Sequence, residues 1–195
     1  MGSKIKLNQI VNLKEYEKGM VCLESTPTYV TVGAHYKCNA KCKFCLGGDY
    51  ENFTLDKYKR FFEKKLTNVL ASARHIGFCG FGEVLLMPEI RGFIDYLDKT
   101  IPDPIKVITT NGSTLKPAIC DKITSGNYST LISLHAAEEA LHYKLTGLKK
   151  FNEIVENIIY LNKLKVQKKS TLHINLVFLI NMLKNMAFLQ FSYYE

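Results

Sequence analysis

Cys38-Asn39-Ala40-Lys41-Cys42-Lys43-Phe44-Cys45 carries three thiols within eight residues, directly after the apolar, β-branched run Tyr29-Val30-Thr31-Val32. Thiolates are soft, anionic donors, suited to zinc, copper(I) or iron–sulfur clusters rather than to hard ions. At this spacing one loop can supply every ligand at small cost in loop-closure entropy. A closed structural zinc site takes four ligands, and a plain electron-transfer cluster takes four cysteines. A four-iron cube held by three cysteines keeps one iron without a protein ligand, free to bind another molecule.

Working outward from that loop, residues 1–27 read as an N-terminal leader, a strand or loop that packs loosely and carries no chemistry. Pro27 separates it from a first core strand, Thr28 to Gly33. On the other side, Gly47-Gly48 gives the loop room to turn, and Thr54 is placed to N-cap a helix from Leu55 to about Ala73. Leu55, Tyr58, Phe61, Phe62, Leu66, Val69 and Leu70 recur there at three- and four-residue steps, which makes one buried stripe. The alternation continues: strand His75–Cys79, a helix starting at Pro88, strand Ile105–Thr109, a short helix over Leu115–Ile123, and strand Thr130–Leu134. A helical stretch to about Leu145, a break at Gly147, a helix near Phe151–Lys165 and strand Leu172–Leu179 follow, with helix expected from Asn181 onward.

Strands alternating with helices predict an α/β fold of parallel βα units, with the chemistry at the carboxyl ends of the strands. Every chemically notable stretch falls at such an end. The cysteine loop follows the first strand, Gly80-Phe81-Gly82-Glu83 the second and Thr110-Asn111-Gly112 the third, while Ser133 and His135 flank the end of the fourth. Periodicity alone does not choose between a barrel and an open sheet.

At 195 residues the chain suits one domain that buries roughly 70% of its unfolded surface. A hydrophobic content of 47% excludes a disordered chain. Polar, charged sequence after Met1 argues against a signal peptide. The apolar run Leu172–Leu183 is about 12 residues long, where a spanning helix needs about 20, so no membrane partner is expected. Six cysteines with three clustered fit a reducing cytoplasm better than a disulfide framework. The formal charge of +8 is enriched at Lys144, Lys149, Lys150, Lys163, Lys165, Lys168 and Lys169. Without interleaved aromatics these lysines read as solvated faces rather than as a nucleic-acid footprint.

Cys-x3-Cys-x2-Cys with Phe44 before the last cysteine resembles the motif of the radical S-adenosylmethionine (SAM) enzymes, and the three downstream stretches follow in that family's order. The resemblance runs from about Thr28 to Asn181. It implies a parallel, partial TIM-like (β/α) barrel of six βα units, about five of them present, within a core domain at 28–195 that is C-terminally incomplete. It also implies that Cys38, Cys42 and Cys45 hold a [4Fe-4S] cluster whose fourth iron chelates SAM. One electron, from a flavodoxin- or ferredoxin-like donor, then cleaves SAM to a 5′-deoxyadenosyl radical that takes hydrogen from substrate, a peptide or small metabolite. By the same resemblance Glu83 accepts from the SAM ammonium, Gly80 and Gly82 let the backbone come close to the ligand, Thr110 and Asn111 belong to the family's segment at the end of strand three, Ser133 meets the ribose, and Phe44 lets adenine pack near the loop. His135 points into the same mouth, and Asn175 and Asn181 are weaker candidates for nucleoside contacts. Phe81 departs from the family, which often has Gly there. Two alternatives stay open: a truncated remnant that binds cluster or SAM without turnover, and a zinc-stabilised nucleic-acid binder whose fourth ligand is His35.

Overall fold

The computed structural model describes residues 2–33, 35–47, 52, 54–80, 82–180 and 187–190. Its frame is a sheet of six strands in the order β1 to β6: β1 Tyr29–Gly33, β2 His75–Cys79, β3 Ile105–Thr110, β4 Tyr128–His135, β5 His173–Ile180 and β6 Ala187–Gln190. The first five pair in parallel, each with the next in sequence, and β6 returns antiparallel to β5. Strand order decides what periodicity left open. A doubly wound sheet reverses its order at a switch point and carries helices on both faces. Five consecutive strands advancing in one direction instead form an arc of a (β/α) barrel.

Burial along the strands shows which side faces the helices. In β4, Tyr128, Thr130, Ile132 and Leu134 are buried and alternate with half-buried Ser129, Leu131 and Ser133, the period of two expected of a pleated strand. Tyr128 and Ile132 of this set join Ile76 and Phe78 of β2 and Ile108 of β3 in one core with the helices α4 (Ile90–Thr100), α5 (Pro117–Ser125) and α7 (Phe151–Gln167), while Leu134 packs with Leu148 and Ile154 in a second cluster. Phe93 of α4 packs between Phe78 at 5.3 Å and Tyr58 at 5.2 Å. Lys106 is the one charge in this layer's β3. Its ammonium is held by Asp98 at 3.2 Å, by the Ile101 carbonyl and by the face of Tyr128, as a buried cation requires.

Four sequence expectations change. The leader is a helix, α1 (Ser3–Glu17), which buries Ile5, Asn8 and Glu15. Its anchors are polar: Asn8 bonds to Thr26 and Ser72, and Glu15 accepts from Glu24 and Ser25. No apolar stripe announces such a helix. The helix expected over 55–73 is capped by Thr54 as anticipated, but it is split into α2 (Leu55–Phe61) and α3 (Thr67–Ser72) by a π turn at Phe62–Leu66. The Thr67 hydroxyl, donating to the Phe62 carbonyl at 2.8 Å, holds that turn. Pro88 lies in a turn ahead of α4 rather than inside it. The tail expected to be helical forms β6 over 187–190, while Asn181 lies outside the described residues. Among the described residues, no helix is long and apolar enough to cross a membrane.

Candidate active site

One cavity of about 160 Å³ opens at the carboxyl ends of β1 to β4, and it is lined by Cys38, Phe44, Cys42, Cys45, Gly80, Gly82, Glu83, Thr110, Asn111, Ser133 and His135, with Ala40, Thr109 and Thr146. Parallel strands bring together residues about a hundred positions apart in sequence, because each strand delivers its following loop to the same rim. Phe81 lies outside the described residues. Asn175 is not among the lining residues: its amide is engaged by Ser129 and the Thr130 carbonyl midway along β4.

The cysteine loop is tied down on two sides. Asn39 donates to the Ser113 hydroxyl at 2.9 Å and accepts from the Asn111 amide at 2.8 Å, which fastens the loop to the segment after β3. Opposite, the Lys41 and Lys43 amides donate to the Thr146 and Leu145 carbonyls at the end of α6 (Glu139–Thr146). The Glu83 amide donates to the Lys37 carbonyl at 2.9 Å and brings the β2 loop against the β1 loop. Gly82 makes that approach possible: a Cβ there would lie 2.3 Å from the His35 carbonyl oxygen.

The three thiols are free of disulfides. Burial pushes Cys42 up to about 11, and the neighbouring Cys38 and Cys45 sulfurs push the same way. Burial also raises Cys38; Glu83 and Cys45 add to this, while bonds from the Ala40 amide and the Asn111 side chain oppose it. Three thiolates crowded in one loop repel one another, and a bound cationic metal centre removes that conflict. Among the described residues, no three His, Cys, Asp or Glu side chains gather as a single metal ion requires. A zinc ion holds every ligand within about 2.3 Å of one centre; a multi-iron cluster distributes its thiolates over separate metal atoms. His35, the fourth ligand of the zinc alternative, is buried but does not line the cavity with the thiols. By donor type alone, three thiolates in one loop are soft ligands of the kind iron–sulfur clusters take.

Glu83 is 2% exposed. Its Oε1 accepts from the Thr110 hydroxyl at 2.7 Å and the Leu85 amide at 3.2 Å, and its Oε2 accepts from the Asn111 amide at 2.6 Å. Burial raises its carboxyl above the usual range, against the pull of these bonds. Glu83 thus braces the β2 and β3 loops, and the second lone pair of Oε2 has no protein donor among these bonds. His135 sits at a bulge after Ser133 with φ of 63°, a conformation a side chain seldom adopts. Its ring meets Phe44 edge-on at 4.8 Å. Burial lowers its pKa to about 4, with His142 acting in the same direction, so the imidazole is neutral near pH 7.

Sequence reasoning missed Asn39, Ser113 and Thr146. Asn39 lay inside the motif, between two cysteines, and an amide side chain there was the available signal. Thr146 contributes through its backbone carbonyl, which leaves no mark on residue identity.

These features define the fold class: the chain carries a partial, parallel (β/α) barrel with its cavity at the carboxyl rim. Solved structures with this fold include Streptococcus suis SuiB bound to S-adenosylmethionine, with a TM-score of 0.64 and 17% identity over 90% of this chain. BtrN in complex with AdoMet and 2-DOIA matches 79% of the chain with a TM-score of 0.57 and 20% identity. The protein anSMEcpe with bound AdoMet and the Cp18Cys peptide matches 77% with a TM-score of 0.56 and 18% identity. The chain spans 38%, 58% and 42% of those three proteins. At such identities the likeness establishes the fold alone. No family model matches the chain.

Proposed function

We propose that this chain is the core of a radical SAM enzyme, with Cys38, Cys42 and Cys45 holding a [4Fe-4S] cluster and the cavity beside them holding SAM. The observation that carries the reading is the convergence of three free thiols, Glu83, Ser133 and His135 on one cavity at the barrel rim. When bound, the cluster supplies one electron and an open iron, and SAM supplies the adenosyl group released by reductive cleavage. The chain's own residues hold and orient. Glu83, through its remaining Oε2 lone pair, accepts from the SAM ammonium in a charge-assisted bond. Ser133 accepts or donates to the ribose, and Phe44 with His135 forms an aromatic wall that keeps water from the nucleoside. Gly82 lets the ligand reach the brace formed by Glu83, Thr110 and Asn111.

The electron comes from an external one-electron donor of the flavodoxin or ferredoxin kind, in a reducing compartment such as the cytoplasm. A peptide is the substrate class we favour, because SuiB is known bound to its precursor peptide SuiA and anSMEcpe to a peptide, each on this fold. Anaerobic reconstitution should give about four irons per chain, and SAM with dithionite should then yield 5′-deoxyadenosine. Each Cys→Ala change in the loop should abolish both. A protein that takes up zinc but no iron under these conditions would end the proposal.

A further inference from the structure

We propose that the left-handed end of α6, Thr146-Gly147, is a clamp that sets the direction of Cys42 before any cluster is present. The inference rests on the cluster reading of the loop and assigns a positioning role to a segment outside the motif.

The last carbonyls of a helix have no partner within it and must find donors elsewhere. In α6 the Gly147 amide takes the Tyr143 carbonyl at 2.8 Å, and the Leu145 and Thr146 carbonyls take the Lys43 and Lys41 amides at 2.9 and 2.8 Å. Those two amides lie on either side of Cys42, so the peptide planes around it are fixed from both directions. Asn39, by contrast, anchors only the start of the loop. Gly147 has φ of 69°, and a Cβ on it would lie 3.4 Å from Lys41 Cβ and 3.7 Å from the Lys41 amide nitrogen. At those distances a Cβ would make only ordinary van der Waals contact, so it is the left-handed turn that asks for glycine. Thr146 is 2% exposed and is itself immobilised, its hydroxyl donating to the His142 carbonyl at 2.8 Å and accepting from the Leu148 amide. Three thiols that share one cluster need three fixed directions, and Cys42 is the one whose direction α6 supplies.

The test starts with the cluster-free wild-type protein. Amide hydrogen exchange at Lys41 and Lys43 should be protected relative to an unstructured chain, and exchange at the unprotected rate would overturn the proposal without any variant. In Gly147→Ala, exchange at both amides should quicken roughly two- to tenfold, the range for one hydrogen bond. Gly147→Asn should restore protection, since Asn tolerates left-handed backbone. After anaerobic reconstitution, Gly147→Ala should hold less iron than wild type and show the electron paramagnetic resonance signal of a three-iron cluster, with Asn again restoring the wild-type spectrum. An Ala variant with wild-type iron content and spectrum would overturn the clamp. If wild type takes up no iron, the cluster reading fails, while exchange at Lys41 and Lys43 still decides whether the clamp exists.

Discussion

Glu83 and His135 are both ionisable side chains taken out of water at the barrel rim, and burial acts on them in opposite directions. The Glu83 carboxyl is raised, and the His135 imidazole is lowered to about 4. For His135 the unfolded chain takes up a proton near pH 6.5, while the folded chain resists until about 4. The unfolded state therefore binds more protons between these values, and stability falls as pH drops through that window. Glu83 acts with the opposite sign above its ordinary value, because its folded form binds the proton more tightly. A single pH profile mixes the two. We expect the cluster-free wild type to lose on the order of 2 kcal/mol more than His135→Asn between pH 6.5 and 4, measured by urea unfolding at each pH. Asn keeps the left-handed backbone and leaves Glu83 and His142 in place, so the difference isolates the imidazole. Parallel profiles for the two proteins would mean that burial does not hold His135 neutral.

At the scale of elements, the site depends on loops packed backbone to backbone. A Cβ at Gly82 would lie 2.5 Å from the Tyr36 carbonyl carbon as well as 2.3 Å from the His35 oxygen, and neither backbone atom can rotate away. Gly82→Ala should therefore separate the β1 and β2 loops, costing roughly 1–3 kcal/mol of stability as other overpacked sites do. Iron uptake should fall with it, because Lys37, which accepts from Glu83, directly precedes Cys38. Urea unfolding and iron assay report the two effects, and wild-type values in both would refute the close packing. Much at this scale was legible beforehand. The apolar runs of β2, β3 and β5 fix their positions to within a residue or two, and the rule that function sits at strand ends gathered the cysteines, Glu83, Asn111, Ser133 and His135. What escaped notice has a common cause. The α6 carbonyls that grip Lys41 and Lys43 are backbone groups, the π turn depends on one Thr67 hydroxyl, and α1 is anchored by Asn8 and Glu15. None of these contacts leaves a hydrophobic period to read.

Over the whole molecule, the parallel arc divides labour between its two rims. The carboxyl ends of β1 to β4 form the cavity, whereas α1 binds the opposite rim. There Asn8 reaches Thr26 just ahead of β1 and the Ser72 carbonyl at the end of α3, shortly ahead of β2. In a barrel, residues at the amino-terminal rim serve stability, and those at the carboxyl rim serve chemistry. The three Asn8 bonds, to Thr26 N, Thr26 O and Ser72 O, are the means by which α1 joins two strands of the sheet. Asn8→Ala removes the side chain that these half-buried backbone groups bond to. It should lower stability by roughly 1 kcal/mol, the net contribution of an ordinary hydrogen bond, seen as a lower urea midpoint with an unchanged slope. Iron content after reconstitution and protection of the Lys41 and Lys43 amides should match wild type, because no contact of Asn8 reaches the cysteine loop. A loss of cluster at unchanged stability would mean that the two rims are coupled through the sheet, and the division between them would have to be abandoned.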